Sequence, residues 1–281
     1  MKATFLKDRC IGISISESPD MAVLGLGVEH LQDAMAEIAR HLLACGGKLA
    51  YGGDLREGGF TELLFEIVDR YRPASDDQRI LVENYLAWPV HALSSVEKLK
   101  TLQGALKGLA DLVLLKPDGQ RMQLSERADN VPPPQLSDWT EGLTAMRTAM
   151  ASKIDARITL GGRTAEYKGK MPGIAEEALI QIERKSPLFV LGGFGGCSLA
   201  IVQAMELHSP DTRPEVDRPA AWEGLEAFSK FRAKDLRNGL TQSENRLLAG
   251  TVHIDEAAAL ILRGLMKLKP KRSSKRRAAT E

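Results

Sequence analysis

The chain has 281 residues, of which 43% are hydrophobic and 27% charged, with a formal net charge of +1. That composition supports a sizeable core and describes an ordinary soluble protein, and nothing in it points to nucleic acid or to a membrane surface. No apolar run approaches the roughly 18 residues that a membrane span needs. Cys10, Cys45 and Cys197 are too few and too scattered for a disulfide framework or a zinc site. No metal or cofactor is therefore expected. The first eight residues lack a signal peptide's apolar core, and the expected compartment is the cytoplasm.

In chain order, Cys10 to Ile15 reads as a first strand, with Ser14, Ser16, Glu17 and Ser18 crowded at its carboxyl end before Pro19. Val28, Leu31, Met35, Ile38 and Leu42 keep one apolar helical face that stops at Gly46-Gly47. Lys48 to Tyr51 reads as a strand running into Gly52-Gly53-Asp54-Leu55-Arg56, followed by a helix from Phe60 to Tyr71. Ile80 to Trp88 and Asp111 to Leu115 are further strand candidates, separated by a short helix over Lys98 to Leu109. Pro132-Pro133-Pro134 can neither continue a helix nor sit in a central strand, so Gln120 to Gln135 reads as a surface connection between two halves of a sheet. Trp139 to Ala151 resumes helical spacing and feeds a strand over Arg157 to Leu160.

That strand ends in Gly161-Gly162, and Arg163, Thr164, Glu166, Tyr167, Lys168 and Lys170 follow before a helix opens at Pro172-Gly173. Leu188 to Leu191 is a last apolar run, followed by Gly192, Gly193, Phe194, Gly195, Gly196 and Cys197 and then by a helix. Three strand ends thus carry glycine pairs followed by helices. Such loops let backbone amides and a helix N-terminus approach an anion, and in an open α/β sheet they line the rim where ligands sit. Arg56, Arg163 and Lys168 could hold phosphate, Tyr167 could stack on a base, and Asp54 could hold ribose. Tight turns and helix caps would use the same residues. Glu62, Glu166 and Glu176 are the candidates for a carboxylate that stabilises a ribosyl cation.

Past His208 to Pro219, which reads as a linker, Trp222 to Lys230, Gln242 to Leu248 and Ile254 to Leu268 look helical and too short to stand alone. They are expected to dock on the sheet or on a partner subunit. The run from Lys267 to Arg277 is strongly basic and reads as a solvated tail.

Gly161-Gly162, Gly169-x-Met171-x-Gly173, Gly192-Gly193-Phe194-Gly195-Gly196 and the opening Ile11 to Ser18 resemble the SLOG superfamily. This group joins the lonely-guy phosphoribohydrolases, the DNA-processing protein A fold and nucleotide-sensing domains. The resemblance covers roughly residues 10 to 206. It implies an α/β fold: a Rossmann-like, doubly wound, mainly parallel sheet with a C-terminal helical extension. The expected division is a nucleotide-binding domain over 1–207, a helical extension over 208–268 and a basic tail over 269–281.

The lonely-guy enzymes carry Pro-Gly-Gly-x-Gly-Thr-x-x-Glu. Here Gly196 stands at the threonine, and Leu199 and Ala200 stand where the acid would be. The resemblance therefore implies a sensor of a nucleotide-derived small molecule, such as an ADP-ribose-type signal, in a prokaryotic conflict system. A homo-oligomer or an effector protein would be its partner, and nucleic acid is the least favoured one. The alternative is a phosphoribohydrolase acting on a nucleoside monophosphate.

Overall fold

The structure, a computed structural model, describes residues 4–53, 55–56, 58–70, 79–207 and 222–269. Six strands, β1 (Cys10–Ser16), β2 (Lys48–Tyr51), β3 (Val82–Leu86), β4 (Ala110–Leu114), β5 (Ala156–Gly161) and β6 (Leu188–Leu191), form one sheet in the order β4-β3-β2-β1-β5-β6. Every pairing is parallel. A parallel sheet is covered on both faces, which is why β5 and β6 are buried throughout and read as near-continuous apolar runs.

The helices are α1 (Val28–Ala44), α2 (Phe60–Arg70), α3 (Trp88–Ala92), α4 (Val96–Ala105), α5 (Leu136–Lys153) and α6 (Gly173–Glu183) between strands, and α7 (Gly196–Ala204), α8 (Gln242–Gly250) and α9 (Ile254–Lys267) after β6; all but α3 fall where the sequence places a helix. Alternation along β1 divides its side chains. Ile11, Ile13 and Ile15 join the core under α1 and α2, while Ser14 looks toward the opposite layer, where it meets Arg157 of β5, which also binds Glu177 of α6. Gly12 is small for a packing reason: a Cβ there would stand 2.8 Å from Ile154, just past the end of α5.

Two expectations are corrected. Trp88 does not end a strand but opens α3, because Pro89 lacks an N–H and suits the first turn of a helix. Within Trp222 to Lys230, the regular structure is a 3-10 segment at Leu225–Lys230. The predicted linker over 208–219, and the basic tail beyond Lys269, lie outside the described residues.

The last two helices dock on the sheet layer of their own chain. Leu248 of α8 and Ala257, Leu260, Ile261 and Leu265 of α9 share one core cluster with β1 and α1. Arg9 fixes the far end, donating to the Leu265 and Leu268 carbonyls at 2.9 and 2.8 Å. Those carbonyls belong to the last turn of α9, where a cation also complements the helix dipole.

Candidate functional site

The chain order places the switch point of the sheet between β1 and β5, with the two halves running outward in opposite directions. Ligands of open α/β sheets bind beyond the carboxyl ends of the strands at such a point. A cleft of about 810 Å³ lies there, inside the range usual for small-molecule sites. Its walls come from the ends of β1 and β2, the loop between β5 and α6, the α3 region and one face of α5.

Of the residues singled out from sequence, Ser14, Ser16, Glu17, Gly52, Gly53, Arg56, Arg163, Glu166, Tyr167, Lys168 and Gly173 all line this cleft. Arg56, Arg163 and Lys168 are exposed at its rim. Asp54 lies outside the described residues. Thr164 is buried and, like Gly161 and Gly162, lies off the cleft lining. The Gly161-Gly162 pair joins elements: the Gly162 N–H donates to Ser16 O at 2.8 Å and its carbonyl accepts from the Cys197 N–H at 2.9 Å.

The Gly192 to Cys197 loop also stays off the lining, as a 3-10 turn buried under neighbouring segments. The Asp20 carboxylate accepts the Gly196 N–H with both oxygens, at 2.8 and 2.9 Å. Ser18 Oγ donates to Phe194 O at 3.2 Å. On the other flank, a Cβ on Gly192 would come within 2.8 Å of Ala249 O, at the end of α8. The Gly196 amide of this loop is already taken, for a physical reason. The positive end of α7 has recruited an anion from its own chain, as a helix N-terminus favours. Cys197 is fully enclosed, and burial pushes its thiol up, so it is protonated and inert.

Charge lies buried beneath the cleft, where Arg157 stands behind the lining rather than in it. Arg157 is fully buried on β5; its Nη1 donates to Ser14 Oγ at 2.6 Å and to Glu177 Oε2 at 2.8 Å. Burial pulls the guanidinium below its ordinary pKa, and the Glu177 carboxylate pulls it back up. Beside this pair, Arg147 of α5 is bound to Glu176, which also accepts from Thr144 Oγ1. Arg147 and Glu177 line the cleft, whereas Glu176 does not. Glu62 is occupied elsewhere, accepting the Gly58 N–H at 2.6 Å ahead of α2.

Arg147 and Glu177, which line the cleft, are functional candidates that the motif reading missed, and Arg157 supports Glu177 from beneath. The signal for Arg147 was present: it follows Leu143 by four residues on α5, so it shares that residue's face. Arg157 reads as the polar first residue of an apolar strand, and nothing local shows that it is swallowed whole.

The remaining wall is aromatic and apolar. Trp139, Leu143 and Met146 present one face of α5, and Phe60 and Tyr167 also line the cleft. Lys168 reaches back over the Trp139 ring, its Nζ 3.7 Å from the centroid. The arrangement pairs flat apolar surface with buried hydrogen-bonding charge and rim cations. Among the described residues no group of three or more His, Cys, Asp or Glu side chains is placed to hold a metal ion. Nor is any described helix long and apolar enough to cross a membrane.

A search of the curated proteins finds no match. The family model described as SLOG cluster2 matches residues 5–248. With that match spanning most of the chain and a six-stranded, all-parallel, Rossmann-like sheet beneath it, the protein belongs to the SLOG cluster2 family.

Proposed function

We propose that the cleft holds a nucleotide or nucleotide-derived small molecule of the ADP-ribose type, and that the protein acts as a sensor in a prokaryotic conflict system in the cytoplasm. The observation that carries this reading is the convergence of three polar strand-end loops and α5 on one cleft of about 810 Å³. Rim cations suit phosphate, buried polar groups at the floor suit ribose hydroxyls, and the aromatic wall suits a base. Occupancy would be passed to an effector protein or to a second copy of the chain.

The test is a thermal-shift and calorimetric panel of nucleotides and ADP-ribose derivatives against wild type and Arg163→Ala. A melting temperature raised by one class of ligand, and raised less in Arg163→Ala, is the expected result. A flat response across the panel would sink the reading.

A second reading, hydrolysis of a nucleoside monophosphate at its N-glycosidic bond, draws support from Glu177, whose carboxylate borders the cleft floor. Such a group could stabilise a ribosyl cation. Chromatography for free base, with Glu177→Gln, Glu166→Gln and Glu176→Gln as controls, separates hydrolysis from binding.

A further inference from the structure

The face of α5 that borders the cleft is polarised from end to end. Trp139, Leu143, Met146 and Arg147 all line it, at spacings of four, seven and eight residues from the tryptophan that keep them on one side of a helix. Eight residues at the α-helical rise place the two ends about 12 Å apart along the axis.

The Trp139 end is half-buried, and the ammonium of the exposed Lys168 lies over its ring. The Lys168 loop rests on the same helix through its backbone, where Thr140 Oγ1 donates to Lys168 O at 3.4 Å. At the other end the Arg147 guanidinium is wedged at the start of α6. A Cβ on either Gly169 or Gly173 would stand 2.8 Å from its terminal nitrogens. Its buried Nε has no hydrogen-bond partner. A buried donor without an acceptor, beside the positive end of a helix, is a place for an anionic or strongly accepting group.

We propose that α5 acts as a ruler for the ligand: an aromatic base stacks on Trp139 in place of the Lys168 ammonium, and a phosphate-bearing portion reaches the Arg147 end. This rests on the nucleotide reading of the cleft and makes it specific. Base–aromatic stacking is stronger than an exposed cation–π contact, so the exchange is favourable and frees the ammonium for a phosphate oxygen. A nucleoside monophosphate, with one ribose between base and phosphorus, would cover less of this rise. A ligand with a diphosphate linkage covers it.

The test measures binding of AMP, ADP, ADP-ribose and inorganic pyrophosphate by calorimetry to the full chain, with Trp139→Ala and Trp139→Phe compared with wild type. ADP and ADP-ribose are expected to bind tighter than AMP. Trp139→Ala should weaken ADP and ADP-ribose by about tenfold or more while leaving pyrophosphate within about twofold, and Trp139→Phe should restore most of the loss. Melting temperatures of both variants check that each is folded; if Trp139→Ala is not, the phenylalanine variant and the AMP-to-ADP comparison still decide. Equal affinity for AMP and ADP, unchanged ADP binding in Trp139→Ala, or an equal loss for pyrophosphate overturns the ruler alone. Binding of none of the four probes overturns the ruler together with the nucleotide reading beneath it.

Discussion

Asp20 and Gly196 are tied by two contacts at once, both carboxylate oxygens meeting a single backbone N–H at 2.8 and 2.9 Å. Asp20 comes from the segment after β1 and Gly196 opens α7, so the pair joins segments 176 residues apart in the chain. Gly196 adopts φ +60°, and a Cβ there would collide with Gly162 O and lie within 2.5 Å of Ser18. Removing the carboxylate in Asp20→Ala should cost about 1–3 kcal/mol, the penalty of a buried donor left unpaired. Asp20→Asn, which keeps an acceptor but loses the charge, should cost less. Urea denaturation measures both, and an Asp20→Ala variant as stable as wild type would show that the turn holds itself.

Arg157 and Glu177 should behave as a buried pair in which half is worse than none. Glu177→Gln strands the fully buried guanidinium and is expected to lose roughly 3–5 kcal/mol. The double substitution Arg157→Met with Glu177→Leu should recover much of that loss. A double-mutant cycle by chemical denaturation reads the coupling, and strictly additive single effects would contradict it.

His91 sets a pH dependence. It is fully buried, its Nε2–H donating to Leu115 O at 2.8 Å and its Nδ1 accepting from Arg127 Nε at 3.3 Å, a pattern that fits only the neutral ring. Burial lowers its pKa below the ordinary 6.5, the Leu115 carbonyl raises it and the Arg127 charge lowers it further. The unfolded chain therefore binds the proton more readily than the folded one. The stabilisation from keeping this ring neutral is complete above about pH 6.5 and declines as the pH falls through the lower folded value. Melting curves of wild type and His91→Asn should converge on acidification. A stability difference independent of pH would refute the assignment.

Arg9 is the clamp on α9. Arg9→Ala removes two charge-assisted bonds to the Leu265 and Leu268 carbonyls and is expected to cost about 1–3 kcal/mol. The change should be local first: amide hydrogen exchange should rise across Ile254–Lys267 before it rises in β1. Unaltered exchange in that helix would show that the apolar contacts of Leu260, Ile261 and Leu265 suffice.

The sheet was legible because its signals are short-range. Leu188 to Leu191 and Lys48 to Tyr51 are apolar runs bounded by glycine and proline, and each is a strand with those bounds. The cleft was legible in outline, since strand ends with polar loops must share one rim of a parallel sheet. The commitments of individual groups were not. Gly192 to Gly196 looks in sequence like an anion cradle, and its chemistry is that of one, but the anion is Asp20, far away in the chain. The same distance hid the floor: Arg157 and Ser14 meet only when β5 lies beside β1. A lone arginine in a strand carries no local mark of its partner.

The placement of β1 has a kinetic consequence. One edge of β1 pairs with β2, close by in the chain, whereas the other waits for β5, beyond the whole β2-to-β4 half and the proline-rich crossover. Closing the longer loop comes at greater entropic expense before any contact rewards it. Assembly of the β2–β3–β4 half around β1 should thus precede arrival of β5, so the Arg157–Glu177 link forms only after that half is in place.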